Sequence, residues 1–521
     1  MRTSPEIASS LRADLENASY DVLNVENQLG DVASAALQRG HLGPAADALE
    51  RLDDPLATLT RVFLLGQDVP AGQLQRAIPK TTVDVASDLG LIARQGRGKS
   101  DAVRAVVDLR PYAASDASGD VNWWVAADQG EEVRRGPLGA DHVLGVGGAA
   151  KTLAGITVRD QRKRALDLGT GSGIQALHLS RHCEQIVATD ISQRALDFAR
   201  FNTQLNLGSV AGSTGPNEID LRQGSFFEPV SRETFDLIVS NPPFVISPPD
   251  SHLPNYEYRD GGMRGDELVK DFVTGIGQYL SPGGVAQFLG NWEHRVDEPW
   301  EERVGQWADE AAERFGCEVW IVQREVQDPA EYAETWITDG GCDPRRDAET
   351  FQAAHRAWRQ DFADRGVEAV GFGYVVIRRP HRARTTPLRL IEQVTTATPR
   401  ALGLHILAAL EAEDRLATLS DVDLLDEHLV TASDVTEERY GPPGASDPSM
   451  IFLTQGAGYG RSHQVSTILA AFFGACDGDL SVGQICSALA QILNVEASSV
   501  IAEVLAELRH FIREGFVNFA R

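Results

Sequence analysis

Cysteine is scarce in this sequence of 521 residues. Its cysteines form no C-x-x-C pair and have no ligand-like spacing with histidine. Disulfide scaffolds need many cysteines in a short chain, and structural zinc sites need closely spaced cysteine or histidine ligands. The sequence therefore predicts neither a disulfide framework nor a bound metal. The cysteines are Cys183, Cys317, Cys342, Cys476 and Cys486.

Positive charge is also scarce. The chain has 48 lysines and arginines against 75 aspartates and glutamates, which gives a formal net charge of −27. Proteins that grip nucleic acid through its phosphates usually present a basic face. The charge therefore disfavours a general RNA- or DNA-binding protein. Residues 159–164 form the densest basic run, and their context favours a solvated turn before a strand.

Long hydrophobic runs are missing near the amino terminus. The stretch MRTSPEIASSLRADLENASYD contains no apolar segment after its first basic residue. Neither a secretory signal nor a membrane anchor is expected from it. We expect a cytoplasmic protein without membrane contact.

The length favours several domains, because one hydrophobic core rarely serves more than about 250–300 residues. Residues 1–120 look mostly helical, with a small strand pair that would fit a winged helix. Residues 121–380 form the predicted central domain, and residues 385–521 form a helix-rich last domain. Residues 381–521 hold 10 arginines and no lysine against 18 acidic residues. The end of the chain reads helix, helix, short strand, as in a winged helix, a module that also serves protein interactions.

Residues 160–380 alternate short, buried-looking strands with segments of helix length. This alternation is the signature of a doubly wound α/β fold with a parallel sheet. Residues 325–368, charged and dotted with aromatic residues, form an insertion before the last strand. The last two strands would fit an antiparallel hairpin at one sheet edge. The predicted strands are Ala165–Leu168, Gln185–Thr189, Phe235–Ser240, Gly284–Leu289, Glu318–Gln323 and Gly373–Ile377.

A glycine-rich turn follows the first of these strands and leads into a helix. It contains Gly169, Thr170, Gly171 and Gly173. Glycines let the backbone bend sharply and approach a ligand, and the helix start presents free N–H groups. A nucleoside-containing cofactor can bind there, but such turns also occur in dinucleotide-binding enzymes. Asp190, at the end of the second strand and 21 positions after Gly169, can accept hydrogen bonds from both ribose hydroxyls.

The spacing of Asp167, the glycines and Asp190 resembles that of class I S-adenosylmethionine-dependent methyltransferases. The resemblance implies a Rossmann-like seven-stranded domain and S-adenosyl-L-methionine as the cofactor. It places Asp167 near the methionine end of the cofactor and Asp190, with Ile191 after it, at the ribose. The helix from Ala195 to Asn206 carries the family's A-L-x-x-A-R-x-N pattern.

Residues 224–229 resemble the family segment that flanks the adenine. Ser225 is the candidate for the exocyclic amine, and Phe226 is the candidate for the ring. Packing in the core is the alternative for Phe226 and for Phe227.

The tetrapeptide Asn241-Pro242-Pro243-Phe244 ends the fourth strand and carries the predicted chemistry. A nitrogen of an amide or aromatic amine is a poor nucleophile, because its lone pair is delocalised. Catalysis then needs acceptors that hold its N–H groups and aim it at the methyl group, which the Asn241 side-chain carbonyl and the Pro242 backbone carbonyl can supply. The proline rings fix the loop, and Phe244 offers a flat face for stacking. Methyl transfer then depends on positioning rather than on a strong base.

The N-P-P-F family contains nucleobase methyltransferases and the HemK-type enzymes, which methylate a glutamine amide of peptide release factors. The later run with Gly261-Gly262 and Gly265-Asp266 resembles the HemK type, and the resemblance covers about residues 160–295. Phe244 stands where release-factor enzymes usually have tyrosine, and the flanking domains do not match theirs. As a whole, the chain looks like large multi-domain actinobacterial methyltransferases with HemK-like labels.

The resemblance implies an N-methyltransferase whose favoured acceptor is a glutamine amide in a translation-related protein, such as a release factor or a ribosomal protein. An exocyclic amine of rRNA or of another nucleobase is the alternative acceptor. A noncatalytic cofactor-binding regulator is a second alternative, and the intact Asp190 and Asn241 argue against it. The sequence does not indicate an oligomeric state.

Three further positions lie near these motifs. His142 and His294 are expected to be structural rather than catalytic. The pair Asn291-Trp292 follows the fifth predicted strand, where it either contacts the substrate or packs in the core.

Overall fold

The computed structural model describes residues 4–116, 118–134, 138–208, 218–249, 253, 256, 258–396, 401–444 and 447–520. The chain divides into two compact units: residues 1–154 with 161–393, and residues 155–160 with 394–521. No helix among the described residues is both long enough and apolar enough to span a membrane.

The amino-terminal part of the first unit is mostly helical. Four of its helices begin at side chains that accept a backbone N–H of the first turn, namely Ser4, Asp21, Asp54 and Thr82. A π-helical turn follows the fourth helix at residues 60–64. The elements are α1 (Pro5–Asn17), α2 (Val22–Gln38), α3 (Gly43–Leu49), α4 (Pro55–Leu59), β1 (Val69–Pro70), α5 (Ala71–Ala77), α6 (Val83–Asp88), β2 (Ile92–Arg94), β3 (Ala102–Ala105), β4 (Val107–Asp116), β5 (Gly119–Asp128) and α7 (Glu131–Arg134).

The remainder of the first unit alternates strands and helices around one large sheet. Short 3₁₀ turns lie at residues 228–230 and 276–279. The elements are α8 (Gly148–Ile156), β6 (Arg162–Leu168), α9 (Ile174–Leu179), β7 (Cys183–Asp190), α10 (Gln193–Leu207), β8 (Glu218–Gln223), β9 (Phe235–Ser240), α11 (Glu267–Gly275), β10 (Leu280–Arg295), α12 (Trp300–Phe315), β11 (Glu318–Gln327), α13 (Pro329–Asp339), α14 (Ala348–Asp364), β12 (Val367–Arg378) and β13 (Arg389–Gln393).

The sheet has the order β8-β7-β6-β9-β10-β12-β11-β13. Strand β12 is antiparallel to both of its neighbours, β10 and β11, and the other adjacent pairs are parallel. This arrangement confirms the α/β class, and each of the six predicted strands lies within an observed one. The chain adds β7 and β8 on one side of β6 and then adds β9 and β10 on the other side. Because the order of the strands reverses at β6, a crevice opens at the carboxyl ends of β6, β7 and β9.

The sheet contains eight strands, whereas the resemblance implies seven. The additional strand is β13, which pairs with β11 in parallel. Strand β11 is therefore not an edge strand, and the first unit continues to residue 393 rather than ending at 380.

The amino-terminal helices share a core with α10 of the sheet domain. Phe198, Phe201 and Leu205 of α10 are buried among side chains from α1 to β5. Asn202 of α10 also accepts the N–H of Ala126 in β5 and donates to its carbonyl, both at 2.8 Å. These contacts explain why residues 1–120 and the sheet belong to one compact unit.

The second unit contains two small antiparallel sheets, β18-β14-β19 and β15-β16-β17, with helices around an apolar core. The predicted winged-helix character of this unit stays a prediction. The elements are α15 (Gly403–Leu416), α16 (Asp421–Asp426), β14 (His428–Thr431), β15 (Val435–Tyr440), β16 (Met450–Gln455), β17 (Ser462–Val465), α17 (Thr467–Ala475), β18 (Asp477–Ser481), α18 (Val482–Leu493), α19 (Ala497–Glu514) and β19 (Val517–Phe519).

Candidate active site

The glycine turn after β6 leaves open space at two of its positions. Gly169 and Gly171 have positive φ angles of 75° and 54°, and a Cβ atom on either would meet no heavy atom within 4 Å. Gly173 differs, because a Cβ there would lie 3.0 Å from Ala199 of α10. The first two glycines thus form an open cradle for a ligand, while the third lets the start of α9 pack closely against α10.

Asp167 lies at the end of β6 and is buried beneath the glycine turn. Its Oδ2 accepts the hydroxyl of Thr170 at 2.6 Å and the N–H of Ala176 at 3.0 Å. Burial raises the pKa of Asp167 to about 7, although both hydrogen bonds act to lower it. Asp167 and Thr170 therefore fix the shape of the turn from within.

Asp190 lies at the end of β7 and is partly exposed. Its two carboxylate oxygens accept the N–H groups of Gly171 and Ser192, each at 2.9 Å. These bonds hold the carboxylate beside the glycine cradle. Ile191, the next residue, has 58% of its surface exposed, which is unusual for isoleucine and leaves an apolar face beside the acid.

Phe226 and Phe227 follow β8 and have different surroundings. Phe227 stacks on Tyr279 with ring centroids 4.1 Å apart and planes 5° from parallel. Phe226 meets Phe272 edge-on at 5.6 Å and has a φ of +43°, a conformation that a bulky residue rarely adopts. Both rings are partly exposed and both pack against the core at Phe272, so the strained backbone of Phe226 is the feature that separates the two.

The N-P-P-F motif begins directly after β9. The hydroxyl of Ser240 donates to the carbonyl of Leu168 at 2.7 Å, which ties the end of β9 to the end of β6. Asn241 comes next, and its Oδ1 is buried without a hydrogen-bond partner among the described residues. Buried polar atoms nearly always have a partner, so this acceptor is available to a donor from outside the chain, such as water or a ligand.

The carbonyl of Pro242 already accepts one hydrogen bond, from the N–H of Phe244 at 2.8 Å. A carbonyl oxygen has two lone pairs, so it can still accept a second N–H. The backbone carbonyl of Pro243 faces Gly261, where a Cβ would lie only 2.8 Å from that oxygen. A side chain at position 261 would therefore clash with the motif loop, which explains the glycine at this position of the Gly261-Gly262 pair.

Phe244 contacts two other parts of the chain, the segment at residues 259–260 and the insertion. It forms an isolated β-bridge with Asp260, and the N–H of Val245 donates to the carbonyl of Arg259 at 3.0 Å. Its ring is partly exposed and meets the ring of Trp336 edge-on, with centroids 6.2 Å apart. One face of Phe244 is thus supported by the insertion, which was not expected from the sequence.

Two residues near the motif were not identified by sequence reasoning: Tyr332 and Trp336, both on α13 of the insertion. Tyr332 is fully buried, and its hydroxyl oxygen accepts hydrogen bonds from the backbone of Ile246 and the side chain of Asn291. The aromatic character of residues 325–368 was the one signal in the sequence that could have drawn attention to them.

The remaining predicted positions are structural. The ring nitrogen Nε2 of His294 lies 2.8 Å from Oε1 of Gln323, and its ring stacks on Trp300. Trp292 is fully buried and bonded to the same Gln323 oxygen. His142 is buried, and burial lowers its pKa.

Asp266 of the HemK-like run is also structural. It is buried and accepts two hydrogen bonds of 2.6 Å from the guanidinium of Arg303. The backbone N–H of Glu293 adds a third at 2.8 Å. This part of the resemblance therefore reflects a buried ion pair that joins the loop before α11 to α12.

Among the described residues, His463, His510 and Glu514 form the one cluster with metal-ligand geometry, and their ligand atoms lie within 4.8 Å of one another. Glu514 is buried and already has three partners, Nε2 of His463 at 2.6 Å, Nε2 of His510 at 3.3 Å and the guanidinium of Arg461. Together these contacts lower the pKa of Glu514, although its burial acts to raise it. The cluster is explained as an ion-pair network around one buried carboxylate.

Comparisons with known proteins match two segments of this chain. Residues 147–314 match the family model of the methyltransferase small domain, and residues 17–106 match a domain of unknown function, DUF7059. A release factor glutamine methyltransferase of Xylella fastidiosa (strain 9a5c) is 37% identical over 142 residues, which are 25% of this chain and 48% of the relative. A ribosomal protein uL3 glutamine methyltransferase of Bordetella pertussis is 34% identical over 166 residues, 30% of this chain and 53% of the relative.

The chain spans about half the length of the curated relatives it matches. The matches confirm the resemblance to HemK-like methyltransferases for the segment that they cover. Among solved structures, a methyltransferase from Pyrococcus furiosus is 16% identical, with a TM-score of 0.25 over 44% of this chain and 80% of that one. A ribosomal protein L11 methylase from Lactobacillus delbrueckii subsp. bulgaricus is 20% identical, with a TM-score of 0.23 over 34% and 72%. TM-scores this low carry no functional conclusion.

Proposed function

We propose that this chain is an S-adenosylmethionine-dependent N-methyltransferase that methylates a glutamine side-chain amide of a translation-related protein in the cytoplasm. The observation that carries the proposal is the buried, unpartnered Oδ1 of Asn241 at the carboxyl end of β9. The cradle at Gly169 and Gly171 follows the adjacent strand, β6. Relatives of the matched segment are named for methylation of glutamine in a release factor or in ribosomal protein uL3.

The residues at the carboxyl ends of β6 and β7 fit the proposed cofactor. The open space at Gly169 and Gly171 allows close approach of a ligand to the backbone. Asp190 would hold the ribose hydroxyls, with Ile191, Ser225 and Phe226 as the proposed neighbours of the adenine. When bound, S-adenosyl-L-methionine supplies an electrophilic methyl group on its sulfonium.

The motif residues would hold the acceptor nitrogen. Oδ1 of Asn241 accepts one N–H of the amide, and the free lone pair of the Pro242 carbonyl accepts the other. These bonds aim the nitrogen lone pair at the methyl carbon, while the prolines and the exposed face of Phe244 keep the amide plane in place. As the nitrogen forms its bond to the methyl carbon, the bond between that carbon and the sulfonium would break, its electron pair would stay on sulfur, and a neutral thioether would leave. The nitrogen would lose one proton to water, because the carboxamide of Asn241 is not a base.

The whole-chain charge supports a protein acceptor over rRNA. A net charge of −27 repels a polyphosphate backbone, and binding to nucleic acid would need strong local compensation. The complete set of Asp190, Asn241 and an open glycine cradle supports a catalytic role rather than a regulatory one.

The test is transfer of label from radiolabelled S-adenosylmethionine into a lysate of a strain that lacks this enzyme, separated into protein and RNA. We expect label in a protein band and a loss of at least 100-fold in turnover with Asn241→Ala, since the removed acceptor orients the nucleophile. Cofactor affinity, measured by calorimetry, should change less than twofold. Asn122→Ala, at an exposed asparagine of β5, is the control for the substitution itself.

Label in rRNA rather than in protein would contradict the glutamine acceptor. An equal loss of cofactor affinity and turnover with Asn241→Ala would show that Asn241 belongs to the cofactor site instead.

A further inference from the structure

The insertion between β11 and β12 packs directly on the N-P-P-F loop. Val245 and Ile246, which follow the motif, are buried in one apolar cluster with side chains of α13, α14 and β12. Phe244 is packed against the same cluster. The insertion therefore shares an apolar core with the loop of the proposed acceptor site.

Tyr332 of α13 joins three parts of this region through its hydroxyl. The oxygen accepts the backbone N–H of Ile246 at 2.9 Å and the side-chain N–H of Asn291 at 2.7 Å. Asn291 lies in the part of β10 that continues past the end of β9, where the motif begins. The insertion, the motif loop and the central sheet are thus held together at one buried point.

Trp336 lies one helical turn after Tyr332, so both rings point to the same side of α13. Its ring meets Phe244 edge-on, at 6.2 Å and 78°, and its carbonyl accepts a hydrogen bond from the guanidinium of Arg259. The indole nitrogen Nε1 is buried and has no hydrogen-bond partner among the described residues. An indole N–H can only donate, so this group is an unsatisfied donor beside the motif.

We propose that Trp336 is a specificity-determining residue whose indole N–H donates to the carbonyl oxygen of the acceptor amide. The inference rests on the proposed function, because a glutamine amide presents both N–H donors and a carbonyl oxygen. Asn241 offers an unsatisfied acceptor, and Trp336 offers an unsatisfied donor. A primary amide could pair with both groups, and hydrogen bonds to such buried groups discriminate strongly between acceptors.

A group without the carbonyl would form no hydrogen bond with the indole N–H, which is unpaired in the free chain, so it would gain less binding free energy than an amide. The arrangement therefore favours a primary amide over a simple amine of similar size. Trp336 belongs to an insertion outside the segment that matches the methyltransferase family model, which ends at residue 314. The acceptor preference would thus be set partly by a segment outside the matched domain.

Trp358 of α14 supplies a matched control. It is fully buried in the same cluster, and its indole nitrogen also has no hydrogen-bond partner among the described residues. Its ring contacts Tyr332 rather than Phe244. Trp336→Phe and Trp358→Phe both remove an indole N–H and the same volume. Only the first removes it beside the motif.

The experiment measures label transfer by the full-length chain into the acceptor fraction of the lysate at several dilutions. We expect Trp336→Phe to raise the apparent KM for the acceptor at least tenfold, with cofactor affinity within twofold of the original. Trp358→Phe should keep the apparent KM within about threefold. Thermal unfolding of both variants reports whether either has lost packing.

Equal effects of the two substitutions on KM would overturn the inference, because they would assign both tryptophans to packing alone. A selective effect of Trp336→Phe on label in RNA would contradict the glutamine acceptor and also the amide contact, while keeping Asn241 as the catalytic acceptor. A selective effect on label in protein supports both proposals.

Discussion

At the scale of single residues, Asp167 and Asp190, the two acids predicted for the cofactor site, differ in burial and in hydrogen bonding. Asp167 is buried, and its Oδ2 bonds to the turn that it supports. Asp190 is partly exposed and held at the rim by two backbone N–H groups. The resemblance assigned both to the cofactor, but the geometry favours Asp190 as the direct contact and Asp167 as the support of the cradle.

The burial of Asp167 predicts a pH-dependent stability that an amide would remove. The carboxyl ionises near pH 3.8 in the unfolded chain but only near pH 7 in the folded one, since burial disfavours the charge. The folded chain therefore binds more protons between these pH values, and its stability falls as the pH rises through this window. Asp167→Asn keeps an acceptor for Thr170 and Ala176 without the ionisation.

We expect the free energy of unfolding of Asp167→Asn, relative to the original chain, to increase between pH 4 and pH 7 by up to about 4 kcal/mol. Urea unfolding at pH 4.5, 6 and 8 measures this difference. Asp197→Asn, on α10, is the control for replacing a less buried carboxylate. A difference that stays constant with pH would show that Asp167 is ionised throughout the range.

The residues that sequence reasoning could predict are those in short motifs at strand ends. Gly169, Asp190 and Asn241 each follow a buried strand directly, so their common position at one edge of the sheet follows from parallel pairing. Tyr332 and Trp336 lie about 90 residues beyond the motif that they contact. Their proximity comes from how an insertion folds back, which no local pattern encodes.

At the scale of elements, the strands that were predicted are the buried ones. The strand β8 was missed because it is polar at most positions and lies at the sheet edge. The strand β13 was missed because it follows a run of arginines and prolines that reads as a linker. Edge strands expose one side to solvent and need little hydrophobic patterning, so their sequences carry a weak signal.

The hydroxyl of Tyr332 on α13 bonds to the loop that follows the motif, so we expect this loop to become more mobile when the hydroxyl is removed. Tyr332→Phe leaves the N–H of Ile246 and one N–H of Asn291 buried without an acceptor, which costs about 1–3 kcal/mol. We expect faster amide hydrogen exchange in residues 241–249 and little change in cofactor affinity. Mass spectrometry of peptides from this segment measures the exchange.

Tyr20→Phe is the matched control for that experiment. Tyr20 is equally buried, and its hydroxyl donates to the carbonyl of Leu109, far from the motif in the sequence. It should destabilise the chain without changing exchange in residues 241–249. If both variants exchange alike in this segment, Tyr332 does not hold the loop.

At the scale of the whole molecule, the chain enters the second unit twice. Residues 155–160 belong to that unit, although β6 of the first unit begins immediately afterwards. Ile156 and Val158 are buried, and Thr157 lies against the start of α15. Removal of residues 394–521 would therefore strip contacts from the segment before the cofactor strand.

Gly403 tests this arrangement, because it lies at the start of α15 against the backbone of Thr157 and Val158. A Cβ on Gly403 would lie 2.0 Å from the carbonyl oxygen of Thr157, a distance that backbone atoms cannot relieve easily. Gly474 of α17 is the control, since a Cβ there would meet nothing within 4 Å. Alanine in place of a helical glycine normally stabilises a helix by about 0.5–1 kcal/mol.

We therefore expect Gly403→Ala and Gly474→Ala to change the free energy of unfolding of the full-length chain in opposite directions. Gly474→Ala should raise the free energy of unfolding slightly, whereas Gly403→Ala should lower it by about 1–3 kcal/mol through the forced displacement of residues 155–160. Because β6 follows these residues directly, Gly403→Ala should also weaken cofactor binding, which calorimetry measures alongside urea unfolding. If Gly403→Ala stabilises the chain as Gly474→Ala does, then residues 155–160 are not packed against α15, and the second unit can be removed without effect on the cofactor site.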